Sequence, residues 1–177
     1  MAELFFCLKK LCETNSINCF NVLKQISMDS AKKVHLCDCG DKRFDFDYFV
    51  ENFFSHPLPS SVDTIFFDEN EKKLFLIEFK NQKCSQIDND EIKKKILDSI
   101  EVLKSISKKN CNLKFNNYEL YVGIVYNDEP QWKRGICKNT IQFGLEYLKE
   151  QHIVKDVKTN DIKWFQKEYF KIKNFVK

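Results

Sequence analysis

Asp63, Glu78 and Lys80 are the residues of this chain whose types and spacing best suit chemistry. Two adjacent carboxylates repel each other and can share a hard cation, and Mg²⁺ takes oxygen ligands while keeping several waters. A cation held there stabilises charge on a phosphate and lowers the pKa of an attacking water. A lysine beside it can orient that water or neutralise developing negative charge. Such chemistry needs no histidine or cysteine nucleophile. The competing reading is a structural salt bridge at an exposed strand end, and the triplet by itself favours it. The elements around the three residues tip the balance towards a site.

Val62 to Phe67 is rich in β-formers and predicts a strand. Glu69 to Lys72 reads as a turn, and Leu74 to Lys80 as a second strand completing a hairpin. Pairing Asp68 with Lys73 sets a register in which Asp63 lies opposite Glu78. Opposite residues share a face, with Cβ atoms roughly 4.5–5.5 Å apart. Alternation puts Glu78 and Lys80 on one side with Leu74 and Leu76, and Phe75, Ile77 and Phe79 on the other. A slip of one residue would separate the charges.

Asp88 reads as an N-cap with Glu91 as its capping-box partner. Ile92, Ile96, Ile100, Leu103 and Ile106 then form the stripe of an amphipathic helix running to about Lys108. Glu119 to Tyr126 predicts another strand. Upstream, Glu3 to Cys12 and Phe20 to Ile26 read as short helices, and Val34 to Cys37 as a strand. Phe44 to Phe54 carries both periods: Phe44, Phe46 and Tyr48 alternate like a strand, while Phe46, Phe49, Val50 and Phe53 suit a helix. Asn139 to Glu150 and Asn160 to Ile172 read as helices. These elements predict one α/β domain over 1–177 with a mixed β-sheet flanked by helices, a core at about 30–127 and a C-terminal helical extension at about 128–177.

Val62-Asp63 followed by Leu76-Ile77-Glu78-Phe79-Lys80 resembles the PD-(D/E)XK nuclease superfamily, with a valine where the eponymous proline stands. The likeness covers roughly Val62 to Tyr126. It implies a restriction-endonuclease-like core in helix–strand–hairpin–helix–strand order. It implies that Asp63 and Glu78 bind Mg²⁺ or Mn²⁺, that the Phe79 carbonyl is a further ligand, and that Lys80 is catalytic. Gln82 follows on the same face if the strand continues, where some branches use a polar residue. Many members add an acid from the helix before the sheet, and Glu13 and Glu51 are the two candidates here. The implied activity is metal-dependent hydrolysis of nucleic acid, DNA before RNA. Cutting both strands of a duplex takes two sites, which suits a homodimer. The alternative is a catalytically inactive adaptor of the same fold that binds protein or nucleic acid.

Lys93, Lys94 and Lys95 open the helix after the hairpin and are candidates for backbone contacts to nucleic acid, equally well a solvated face. From Ser61 to Asp90 seven acids stand against four lysines, and from Lys133 to Lys177 eleven bases against five acids. Trp164, Phe165, Tyr169 and Phe170 in the basic stretch read as packing for a terminal helix before stacking platforms. The eight cysteines lack paired zinc-knuckle spacings and read as reduced thiols, as expected of a cytoplasmic protein with no leader. His35, His56 and His152 are scattered, no Gly-rich phosphate loop is present, and no apolar run reaches membrane-spanning length.

Overall fold

The computed structural model describes residues 3–29, 32–127 and 141–172. Its centre is a mixed six-stranded sheet in the order β1-β4-β5-β6-β7-β8. Strands β1 (Phe20–Val22), β4 (Lys42–Asp45), β5 (Thr64–Asp68) and β6 (Lys73–Lys80) pair antiparallel in succession, whereas β7 (Glu119–Tyr126) joins β6, and β8 (Asp156–Asp161) joins β7, in parallel. A two-stranded ribbon, β2 (Met28–Asp29) with β3 (Val34–His35), stands apart. Helices α1 (Leu4–Thr14), α2 (Leu23–Ile26), α3 (Phe46–Phe53), α4 (Asn89–Lys109), α5 (Glu146–Glu150) and α6 (Ile162–Ile172) complete the described elements. No helix among the described residues is long and apolar enough to cross a membrane.

The sheet separates two apolar layers. On one face Leu74, Leu76, Val122 and Ile124 pack beneath α1, α3 and α4. On the other, Phe66, Ile77, Phe79 and Val125 meet α2 and α6 through Leu23, Ile26, Ile162 and Phe165. Strand alternation decides which layer each residue enters. Glu78 and Lys80 follow Leu76 at the same parity and therefore point towards α4.

Helix α4 holds its place through the expected stripe: Ile92, Ile96, Ile100, Leu103 and Ile106 are all buried. Each such side chain contributes roughly 1.5–3 kcal/mol when fully buried. Asp88 caps the helix, its carboxylate accepting from the amides of Asp90 and Glu91. The β6–α4–β7 path joins two parallel neighbours, as a crossover helix must. Opposite Ile77 in that parallel pair stands Gly123, where an added Cβ would lie 2.7 Å from Ile77 Cδ1. Glycine at 123 leaves the space that the Ile77 Cδ1 methyl fills.

Several elements differ from the sequence expectation. Phe20 to Ile26 splits into β1 and the single turn of α2, because β4 recruits Phe20–Val22 as a partner. Phe44 to Phe54 is both a strand end and a helix: Asp45 ends β4 and caps α3 by accepting from the Tyr48 amide at 3.1 Å. Val34 to Cys37 keeps only the two residues of β3. Of the helix expected over Asn139 to Glu150, only Glu146–Glu150 is helical, residues 141–145 are not, and 139–140 lie outside the described residues. The stretch 128–177 is not purely helical, since β8 joins the sheet ahead of α6.

The reading of all cysteines as reduced thiols is also corrected. Cys7 is bonded to Cys111 and Cys12 to Cys19, because α1 packs where the end of α4 and the chain leaving α1 come within reach. Cys37 and Cys39 are free, and Cys137 lies outside the described residues.

Candidate functional site

Asp63 is the residue just before β5, and α4 places it. Ser60 donates its amide to Asp98 Oδ2 at 3.0 Å, and Val62 donates its amide to Ser99 Oγ at 2.9 Å. The Asp63 carbonyl accepts from the Phe46 amide at 3.0 Å, tying it to the start of α3. Its side chain turns across the hairpin, where Oδ2 accepts from the Phe79 amide at 2.5 Å. The ladder has the register read from the sequence, with Asp68 paired to Lys73 and Thr64 to Ile77. It stops one pair short of Asp63 and Glu78, and a side-chain bond takes over there.

Glu78 is 1% exposed, and its Oε1 receives two ammonium groups: Lys95 Nζ at 2.8 Å and Lys80 Nζ at 3.3 Å. Lys95 Nζ also lies 4.0 Å from Asp63 Oδ1. Lys80 is held from outside by Glu91 Oε1 at 2.6 Å. The Glu91 carboxylate is thus engaged with Lys80, beyond the capping role expected of it. Glu78 Oε2 is buried with no hydrogen-bond partner among the described residues. Such an oxygen costs free energy unless a proton or a cation reaches it.

These groups border a cavity of about 200 Å³ lined by Asp63, Glu78, Phe79, Lys80, Gln82 and Lys95, with Ile26 to Asp29 forming another side. Burial raises the Asp63 carboxyl well above the usual carboxylate range, and the neighbouring Glu78 charge adds to it. Burial also raises Glu78, against the pull of Lys95 and Lys80. For Lys95, burial alone would push the ammonium down, but Glu78 and Asp63 outweigh it and hold the group above its usual value.

Of the residues expected at the site, Asp63, Glu78, Phe79, Lys80 and Gln82 do border one cavity. Glu13 and Glu51 do not: both are exposed, Glu13 near the end of α1 and Glu51 on α3, where its charge acts on Asp45. The three lysines of α4 diverge. Lys93 lies 3.8 Å from Asp90, Lys94 reaches Ser60 Oγ and Asp98, and Lys95 enters the cavity between the carboxylates. Lys95 therefore lines the candidate cavity and is not part of a solvent-facing basic row.

Asp47 was missed. It sits in the first turn of α3, accepts a hydrogen bond from Ser61 Oγ, and its charge acts on both Asp63 and Lys95. An acid early in a helix just before the hairpin was the available signal, hidden by the mixed period of that segment. Asp29, brought to the cavity by β2, was missed too, and nothing in its local sequence points there.

The donor set suits a hard divalent cation in kind: two carboxylates, one with a buried unpartnered oxygen, beside a backbone carbonyl. No cluster of three or more His, Cys, Asp or Glu side chains able to hold a metal occurs among the described residues. Any ion here would complete its shell with the Phe79 carbonyl, water or substrate. Comparison with family models, with curated proteins and with solved structures found no match.

Proposed function

We propose that this chain is a metal-dependent phosphodiesterase acting on nucleic acid, with DNA as its substrate and a fold of the restriction-endonuclease kind. The observation that carries the reading is the buried, unpartnered Glu78 Oε2 beside Asp63 on the wall of an open polar cavity. Asp63, Glu78 and the Phe79 carbonyl would hold Mg²⁺ or Mn²⁺. When bound, such an ion supplies charge neutralisation at the phosphate and an acidified water.

The chain's own residues do the rest. The Phe79 amide fixes the Asp63 carboxylate through Oδ2, and leaves Oδ1 on the Lys95 side, from which it would hold the ion. Glu91 holds the Lys80 ammonium at the cavity, where its remaining N–H groups can hydrogen-bond to the oxygen of the attacking water and orient it, or to a non-bridging phosphate oxygen and neutralise its charge. The exposed Lys94 and the basic C-terminal stretch suit contacts to the phosphate backbone, which position a substrate without reading its sequence. A second copy of the chain would supply the site for the other strand of a duplex.

A second reading has an observation in its favour. Lys95 already neutralises Glu78 Oε1, so the cluster can persist as a buried ion pair in an inactive adaptor. Cleavage assays separate the two. Plasmid, single-stranded DNA and RNA are incubated with Mg²⁺ or Mn²⁺, wild type beside Lys80→Ala. Metal-dependent cutting that Lys80→Ala abolishes, with an unchanged circular-dichroism spectrum, supports the hydrolase and identifies the substrate class. An absence of cutting on every substrate, with no stabilisation by either metal, favours the adaptor.

A further inference from the structure

The two ammonium groups at Glu78 are not equivalent. Lys80 has an outside partner, Glu91, at 2.6 Å, and stands 3.3 Å from Glu78. It keeps a counter-charge whatever Glu78 does. Lys95 has no such partner among the described residues: its ion pairs are with Glu78 Oε1 at 2.8 Å and Asp63 Oδ1 at 4.0 Å, both carboxylates of the candidate metal site. Its side chain is 20% exposed and lines the cavity.

We infer that the Lys95 ammonium is the resident cation of this site, and that a divalent metal binds by exchange with it. The inference rests on the metal-site reading proposed above. Glu78 and the half-buried Asp63 both face one ammonium, at 2.8 and 4.0 Å, and need a positive charge there to coexist ionised. The ammonium supplies it in the metal-free protein, and a metal bound to the same two carboxylates, reaching Glu78 through Oε2, would stand beside the ammonium on Oε1 and repel it. Exchange asks little of the backbone. The Lys95 carbonyl is tied to Ser99 Oγ at 2.7 Å within α4, so only the flexible stem of the side chain has to turn. Asp47, whose charge Lys95 already feels, is a carboxylate outside the metal pair that the displaced ammonium can approach. Lys95 is in this sense a positioning residue that sets the affinity of the metal site.

The test uses two readouts independent of cleavage. Calorimetric titration with Mn²⁺ compares wild type with Lys95→Met, which keeps the stem and removes the charge. In wild type alone, the rate of Lys95 acetylation by an amine-reactive ester is followed by mass spectrometry with and without saturating Mn²⁺, with exposed Lys94 as the internal reference. The expected result is at least tenfold tighter Mn²⁺ binding by Lys95→Met, and Lys95 acetylation at least tenfold faster in the Mn²⁺-bound wild type. The acetylation arm stands even if Lys95→Met fails to fold. Wild-type binding of Mn²⁺ with unchanged Lys95 reactivity, or with affinity unchanged or weakened in a folded Lys95→Met, overturns the exchange and leaves the metal site standing. No Mn²⁺ binding by either protein overturns the metal-site reading itself.

Discussion

Gly123→Ala tests the strand pairing that sets the position of Glu78. Gly123 faces Ile77 one pair before Glu78 faces Ile124. A Cβ on residue 123 would stand 2.7 Å from Ile77 Cδ1, about 1 Å inside ordinary carbon contact. Ile77 is 4% exposed and packs with Phe79 and Phe165, so its methyl has little room to withdraw. Overpacking of this kind costs about 1–3 kcal/mol. Reduced freedom of the unfolded chain returns about 0.4–1 kcal/mol. The net is a loss of about 1 kcal/mol, or about 2–4 °C in melting temperature for a chain of this size. Ile77→Val removes the clashing atom and by itself costs about 0.5–1.5 kcal/mol. In that background Gly123→Ala should become neutral or stabilising, a coupling of about 1 kcal/mol. Urea unfolding of the four proteins at constant slope measures the cycle. Strict additivity, or a Gly123→Ala protein more stable than wild type, would refute the close approach and the register with it.

Ser99→Ala leaves the buried Val62 amide without its acceptor and should cost about 1–3 kcal/mol, with faster hydrogen exchange at Val62. An unchanged exchange rate there would mean that α4 does not hold the approach to Asp63. The raised Asp63 pKa has a defined sign: the unfolded chain loses this proton first, so the group's contribution is full below the ordinary carboxylate range, about pH 4, and is lost as pH rises through the folded value. In EDTA, the stability of wild type relative to Asp63→Asn should therefore fall as pH rises above about 4, and a flat difference counts against the shift. Removing the Cys7–Cys111 bond, by Cys7→Ser with Cys111→Ser, releases a link across 104 positions of sequence. A loss of about 2–4 kcal/mol is expected, and an unchanged melting temperature would contradict it.

What was legible from the chain was what local pattern determines. The hairpin announced itself through β-branched and aromatic runs around a polar turn, and its register followed from the turn. Helix α4 was legible through five apolar residues and a capping aspartate. The placement of Lys95 was also readable, since it follows Ile92 by three and precedes Ser99 by four, on the stripe that faces the sheet. Treating it with Lys93 and Lys94 as one basic run hid that. Other elements depend on distant partners. Strand β1 is three residues recruited by β4. Strand β8, Asp-Val-Lys-Thr-Asn-Asp, carries a single strongly apolar residue and is a strand because β7 offers it a parallel edge. Its Asp161 does accept from the Trp164 amide at 3.0 Å, so the helix start read near Asn160 was nearly right. The disulfide partners came from the packing of α1 and could not be read from spacing.

The charges gathered around Glu78 come mostly from one unbroken stretch of chain, Asp63 to Lys95. Their mutual placement is encoded by a turn, a strand and the first turns of a helix, with little help from remote segments. Contacts so close in sequence form early and cheaply in chain entropy. Sensitivity to insertion should therefore be sharply uneven along the gene. One codon added within the Glu69–Lys72 turn, with the strand pairing shifted by one residue, sends Glu78 and Lys80 through to the Phe79 side of the sheet. Several codons added beside the exposed His152, ahead of the buried Val154 that leads into β8, leave every pair in that cluster facing as before.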